Sequence, residues 1–193
     1  MHYTWFVVNT LAWLTLFADC LVAFILCVLV CEAVSRCSSR MLQWIDRHAL
    51  VLMLVVSTLA ACGSLFLSDV AGWTPCKDCW YQRIFMYPQV VLLTIALWRR
   101  DRGIAVSILA LSLIGIVISI AHYHEQLQLI WHPDAVAAPC DSTGVSCAKT
   151  PTLKLGYITI PVMAMSAFAL NIVGSLIVLR KPRHSHRVSS SLV

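Results

Sequence analysis

The chain has 193 residues, 60% of them hydrophobic and only 12% charged, with a net charge of +5 and a mean hydropathy of +0.81. A soluble domain is roughly half apolar and a quarter charged, so a large water-facing surface is excluded and a bilayer takes its place. The length suits one small bundle of membrane helices, and no nucleic acid is needed to account for the basic excess.

The first apolar stretch covers residues 5–30 and contains Asp19, an acid that inside a membrane calls for a partner or a polar cavity. No lysine or arginine precedes Arg36, so the basic region of a cleaved signal is missing and the stretch is expected to remain as a helix. Arg36, Arg40 and Arg47 separate it from residues 49–67, a second stretch without a charge. A third, residues 80–98, reaches spanning length only if Arg83 lies at the membrane edge. Arg99, Arg100 and Arg102 lead into the fourth, residues 104–120. The fifth, residues 157–179, carries Pro161, Asn171 and Gly174, which bundle helices tolerate when neighbours satisfy the backbone. Arg180, Lys181, Arg183 and Arg187 follow it, in a serine-rich tail expected to be disordered.

A five-helix weave puts all these basic residues, ten of the fourteen Lys and Arg, on one side, which is therefore cytoplasmic. The other side receives the N-terminus and two loops, residues 68–79 and 121–156, with Trp73, Trp80, Tyr81 and Trp131 as an interfacial belt.

Topology also sorts the nine cysteines. Cys20, Cys27, Cys31 and Cys62 fall in apolar helices and Cys37 in a cytoplasmic loop, where reduced, packing thiols are expected. Cys20, Cys27 and Cys31 share a helical face, which reads as a packing stripe. The other four lie on the outer side in two close pairs, Cys76/Cys79 and Cys140/Cys147, where disulfides form and can exchange.

The stretch "WTPCKDCWYQRIFMYP", residues 73–88, carries the chemistry. Pro75 suits a helix start, so the third helix should begin near Cys76 or Cys79. Cys79 and Arg83 are then an i, i+4 pair, and helix dipole and arginine together should favour a Cys79 thiolate. A lone Cys-x-x-Cys serves redox and zinc sites alike, and an arginine at a helix end is often a simple anchor. Their combination with a second outer pair points to redox chemistry.

The run from Cys76 to Arg83, with Tyr87-Pro88 in the helix that follows, closely resembles the DsbB/BdbC family of bacterial disulfide-forming membrane proteins. "AHYHEQLQ" (121–128) and "GYITIPVMAM" (156–165) resemble the same family. The resemblance implies an all-α integral membrane protein, a four-helix transmembrane bundle core to which this chain adds an N-terminal transmembrane helix. It divides the chain into an extra helix and cytoplasmic loop (1–48), a four-helix domain (49–180) and a basic tail (181–193). By position, the family implies that a reduced DsbA-like, thioredoxin-fold oxidase attacks the loop-two disulfide at Cys140, the partner of Cys147. Electrons then pass to Cys76–Cys79, and Cys79 gives them to a quinone, ubiquinone or menaquinone, held near Arg83. His122, at the outer end of the fourth helix, is a further candidate to bind the quinone or supply a proton. The implied location is a bacterial inner or plasma membrane, with the redox cysteines facing out.

Two other readings compete. A vitamin K epoxide reductase-like protein has similar chemistry, but there the loop pair precedes the Cys-x-x-Cys, whereas here it follows. A zinc-binding membrane protein would use Cys76, Cys79, Cys140 and Cys147, with His122 or His132 nearby, and would need all four thiols reduced.

Overall fold

Five helices account for the apolar stretches. The computed structural model describes residues 2–35, 40–132, 134, 144–150 and 152–180. In it α1 spans His2–Ser35, α2 Arg40–Leu65, α3 Lys77–Arg99, α4 Ala105–Trp131 and α5 Ile160–Leu179, and one π-helical turn, Phe66–Val70, closes α2. Outside the described residues lie Cys37, Cys140, Arg36 and the tail 181–193. The protein is all-α, and α1, α2, α4 and α5 are long and apolar enough to cross a membrane.

The buried face of α4 shows why its neighbours come so close. It reads Ala105, Ile108, Ser112, Gly115, Ser119, His122 and Gln126, small or polar side chains at alternating spacings of three and four. Small residues let membrane helices approach, where lipid offers no hydrophobic drive. Gly115 is the closest point, because a Cβ there would stand 2.3 Å from the Phe168 ring of α5. This stripe also carries α4 to Trp131, well past the expected end at residue 120. α5 begins later than expected, at Ile160, because Lys154 and Ile158 pair across a tight turn with Gly156 at φ +81°.

Halfway along the bundle, Gln89 of α3 accepts from Ser112 of α4 (3.2 Å) and Asn171 of α5 (2.7 Å), and Asn171 also donates to Ser57 of α2 (2.8 Å). One polar cluster thus ties four helices. At one end of the molecule Arg102 pairs with Asp46, and Arg180 with Glu32 at 2.8 Å. At the other end lie Cys76, Cys79, His122 and Cys147.

The structure departs from the sequence reading at the cysteine stripe. Cys20, Cys27, Cys31 and Cys62 are free but exposed on the outer surface of the helices, not packed between them. A thiol is apolar enough to face lipid, so helical spacing alone does not say which way the stripe points.

Candidate functional site

Local sequence builds the outer end of α3. Cys76 is its N-cap with extended backbone (φ −75°, ψ 174°), and the Trp80 N–H donates to the Cys76 carbonyl at 3.2 Å. Asp78 sits in the first turn, where a negative charge complements the helix dipole. The helix therefore starts where Pro75 implies, and it sets two functional faces. Cys79, Arg83 and Tyr87 follow at i, i+4 and i+8 and look toward α2, while Gln82 turns toward α4.

Cys76 and Cys79 are free thiols with their Sγ atoms 3.1 Å apart. His122, only 1% exposed, places Nε2 3.7 Å from the Cys76 Sγ and 3.2 Å from the Cys147 carbonyl oxygen. Its Nδ1 lies 3.2 Å from the Gln82 amide nitrogen, which donates to it and leaves the ring proton on Nε2. One imidazole therefore touches both outer loops. Cys147 itself is buried and disulfide-bonded. Its Sγ lies within 4.8 Å of carboxylate oxygens of Asp78 and Glu125.

The reduced pair distributes its charge differently from the sequence expectation. The Cys76 thiol is lowered to about 4, first by the hydrogen bond from Cys79 and then, against the cost of burial, by His122. The Cys79 thiol is held up, first by its hydrogen bond to Cys76 and then by burial. The thiolate thus sits on Cys76. Helix dipole and Arg83 had pointed to Cys79, and Arg83 does favour a thiolate there, but the hydrogen bond between the two sulfurs, burial of Cys79 and the imidazole beside Cys76 outweigh it.

Arg83 is 9% exposed, so it is no anchor snorkelling to the surface. Its Nε donates to the Ser64 hydroxyl and its Nη2 to the Ser64 carbonyl, both at 2.9 Å, and its guanidinium lies 5.1 Å from the centre of the Trp80 ring. The Tyr87 hydroxyl reaches the same Ser64 hydroxyl at 3.4 Å. Ser64 lies two residues before the π-helical turn; such widened turns recur at functional sites. Two of the five guanidinium N–H groups are used on Ser64, which leaves donors for another acceptor.

Beside these residues is a cavity of about 820 Å³, within the range of small-molecule sites. Cys76, Cys79, Arg83, His122 and Gln126 line its polar side, and its walls are apolar side chains of α1, α2 and α5. Gln126 is buried there with no hydrogen-bond partner on Oε1. An apolar chamber with a cation, a thiol pair and an unused acceptor at one end suits a flat, lipid-soluble molecule with polar oxygens. It would suit a metal less well. Sγ of Cys76 and Cys79 and a nitrogen of His122 do lie within 4.8 Å of one another. A four-cysteine set would also need Cys147, which is disulfide-bonded, and Cys140, which lies outside the described residues.

Of the residues expected at the site, Cys76, Cys79, Arg83, His122 and Cys147 gather at one end of the bundle; Cys140 lies outside the described residues. The sequence reading gave no role to Ser64, Gln82 or Gln126. The spacing of Gln82 and Gln89, two turns apart on an apolar helix, was the available signal for the inward polar face of α3.

The family model described as "Disulfide bond formation protein DsbB" matches residues 46–178. "Disulfide bond formation protein C" of Bacillus subtilis (strain 168) is 41% identical over 119 residues, covering 62% of this chain and 83% of that protein. A "Probable disulfide formation protein" of Oceanobacillus iheyensis is 39% identical over 134 residues, 69% of this chain and 90% of the relative. Another "Probable disulfide formation protein", from Metapseudomonas resinovorans, is 33% identical over 134 residues, 69% and 91% of the two chains. No solved structure matches the chain.

Proposed function

Because the chain belongs to the DsbB family of disulfide bond formation proteins and is an oxidoreductase of the bacterial inner membrane, we propose that it reoxidises an extracytoplasmic, thioredoxin-fold oxidase of the DsbA type and passes the electrons to a membrane quinone. In this reading α3 is a further span beside the four apolar helices. The arginine-bearing end of the bundle is cytoplasmic, and the segment 49–180 is the catalytic domain.

The observation that carries the reading is the position of His122, between the Cys76 sulfur and the backbone of Cys147, at the edge of the apolar cavity. Two cysteine sites that must exchange are thereby held against one residue. A partner thiolate attacks Cys140, forming a mixed disulfide and releasing Cys147 as thiolate. The partner's second thiolate then displaces Cys140 and leaves as an oxidised protein. The loop-two dithiol next reduces the Cys76–Cys79 disulfide and regains its own. Two electrons and two protons leave the partner's dithiol in the whole sequence.

A quinone bound in the cavity would supply the final two-electron sink for the reduced pair. Arg83, with N–H groups to spare, would hold it by an oxygen, with His122 and Cys79 lining the same cavity. Cys76 holds the thiolate of the reduced pair, and the Nε2–H of His122 steadies that charge.

The test is anaerobic quinone reduction by the detergent-solubilised protein, driven by a reduced thioredoxin-fold oxidase. Turnover in native protein, lost in both Cys79→Ser and Cys140→Ser, is the expected result. Absence of turnover with ubiquinone and menaquinone analogues alike, together with stoichiometric zinc, would overturn it.

A further inference from the structure

The helix that precedes the family-matched segment has two halves that do different work. Leu21, Val22, Ile25, Val28 and Leu29 of α1 pack against α2 and α5 in a cluster with Leu42, Val173 and Ile177. On the outer side, Leu11, Leu14, Thr15, Phe17, Ala18 and Leu21 line the cavity that Cys79 and Arg83 also line. Asp19 marks the join. It accepts a hydrogen bond from Ser166 of α5 and another, at 3.1 Å, from Tyr157 just before α5. Glu32 holds the far end of α1 through Arg180, 2.8 Å away.

We infer that α1 is a wall of the acceptor site, and that Asp19 is the positioning residue that keeps this wall closed against α5. The inference rests on the reading of the cavity as the quinone site. An acidic side chain in an apolar helix is costly, and among the described residues its cost is met by a pair of hydroxyls, those of Ser166 and Tyr157, and not by a basic partner. That places its effect on how tightly a lipid-soluble acceptor is held. α1 has no atom in the cysteine relay, so exchange with the protein partner should not depend on it.

The experiment is steady-state reduction of a short-chain ubiquinone by the full chain, with the quinone and the reduced oxidase varied separately. Ala18→Trp fills the wall without touching the latch. It is expected to raise the KM for quinone about tenfold, with the KM for the oxidase and the saturating kcat unchanged, a loss of one decade in affinity. Leu14→Trp, on the same wall, should do likewise and guards against misfolding of one variant. Asp19→Leu should raise the quinone KM, and Asp19→Asn, which keeps an acceptor oxygen for Ser166 and turns an amide N–H toward the Tyr157 hydroxyl oxygen, should restore much of it. Phe24→Ala, on the exposed side of α1, should change nothing. Unaltered quinone KM in both tryptophan variants and in Asp19→Leu, with native turnover present, overturns the role of α1 alone. Lack of quinone turnover in the native protein overturns the proposed function itself.

Discussion

Around Gln89 the bundle buries Ser57, Ser112 and Asn171 and closes over all four side chains, whereas around His122 it buries Cys76, Gln82 and Gln126 and leaves a cavity beside them. Both clusters are made by the same four-helix core and both depend on the small-residue face of α4. The Gln89 cluster contains amides and hydroxyls with no group that titrates near neutrality, and its hydrogen bonds run from helix to helix. The His122 cluster contains a thiolate and an imidazole, and besides the bond from Gln82 its contacts run from helix to loop. Buried polarity is therefore not by itself a mark of function in this molecule. A reactive atom next to open volume is.

That contrast is broken most sharply by removing sulfur. Cys76→Ser and Cys79→Ser should each lower quinone reduction at least roughly 10³-fold, the scale on which a covalent nucleophile acts, with thermal stability almost unchanged. Retained turnover in either variant would remove the loop-one pair from the electron path. Gly115→Ala should come next. Its Cβ would collide with Phe168, so the variant should lose about 1–3 kcal/mol of stability and part of its activity as α4 carries His122 away from Cys76. Phe168→Leu in the same chain should recover both. Recovery of neither would show that the close approach is not what positions His122.

His122→Phe sharpens the comparison through pH. The Cys76 thiol is lowered to about 4 partly by His122, so in native reduced protein its alkylation by iodoacetamide should be flat from about pH 5 to about pH 8. Without the imidazole the profile should move upward in pH, and turnover near neutrality should fall about a hundredfold. The sign for stability follows from the same lowering. The thiolate stabilises reduced protein increasingly as pH rises from about 4 toward the free-thiol value of 9.0, and that contribution is lost as pH falls through 4. Peptide mapping of the alkylated cysteine checks the first point, and melting of the reduced protein against pH the second. An unshifted alkylation profile in His122→Phe would mean that Cys79 alone sets the thiolate.

Much of the His122 cluster was legible in the sequence because its members carry rare chemistry at short range. Cys76, Cys79 and Arg83 lie within about two helical turns, and their helix start is announced by Pro75. The contacts that decide the electrostatics were not legible, because they are between elements. Ser64 binds Arg83 across 19 positions of chain, and His122 reaches Cys76 across 46. Asp19 and its hydroxyl partners are farther apart still, at 138 and 147 positions. The outward cysteine stripe of α1 was misread for the converse reason. A uniformly apolar helix carries no periodic signal to say which side meets protein and which meets lipid.

Asn171→Leu makes the smallest change and tests the other half of the comparison. The substitution removes the donors to Ser57 and Gln89, along with an Oδ1 that has no partner, and puts an apolar side chain of similar bulk in their place. Gln89 keeps its bond from Ser112, so only the Ser57 hydroxyl loses its inter-helix contact outright. Inter-helix hydrogen bonds in membrane proteins average about 0.6 kcal/mol each, so a loss of roughly 1 kcal/mol is expected from denaturant titration in detergent. Turnover at saturating quinone and oxidase should stay within about twofold of native, since nothing in this cluster reaches the cavity. A fall in kcat as deep as that of His122→Phe, at unchanged stability, would mean that the Gln89 cluster takes part in catalysis. The two networks would then have to be treated as one path along the bundle, not as a scaffold beneath a site.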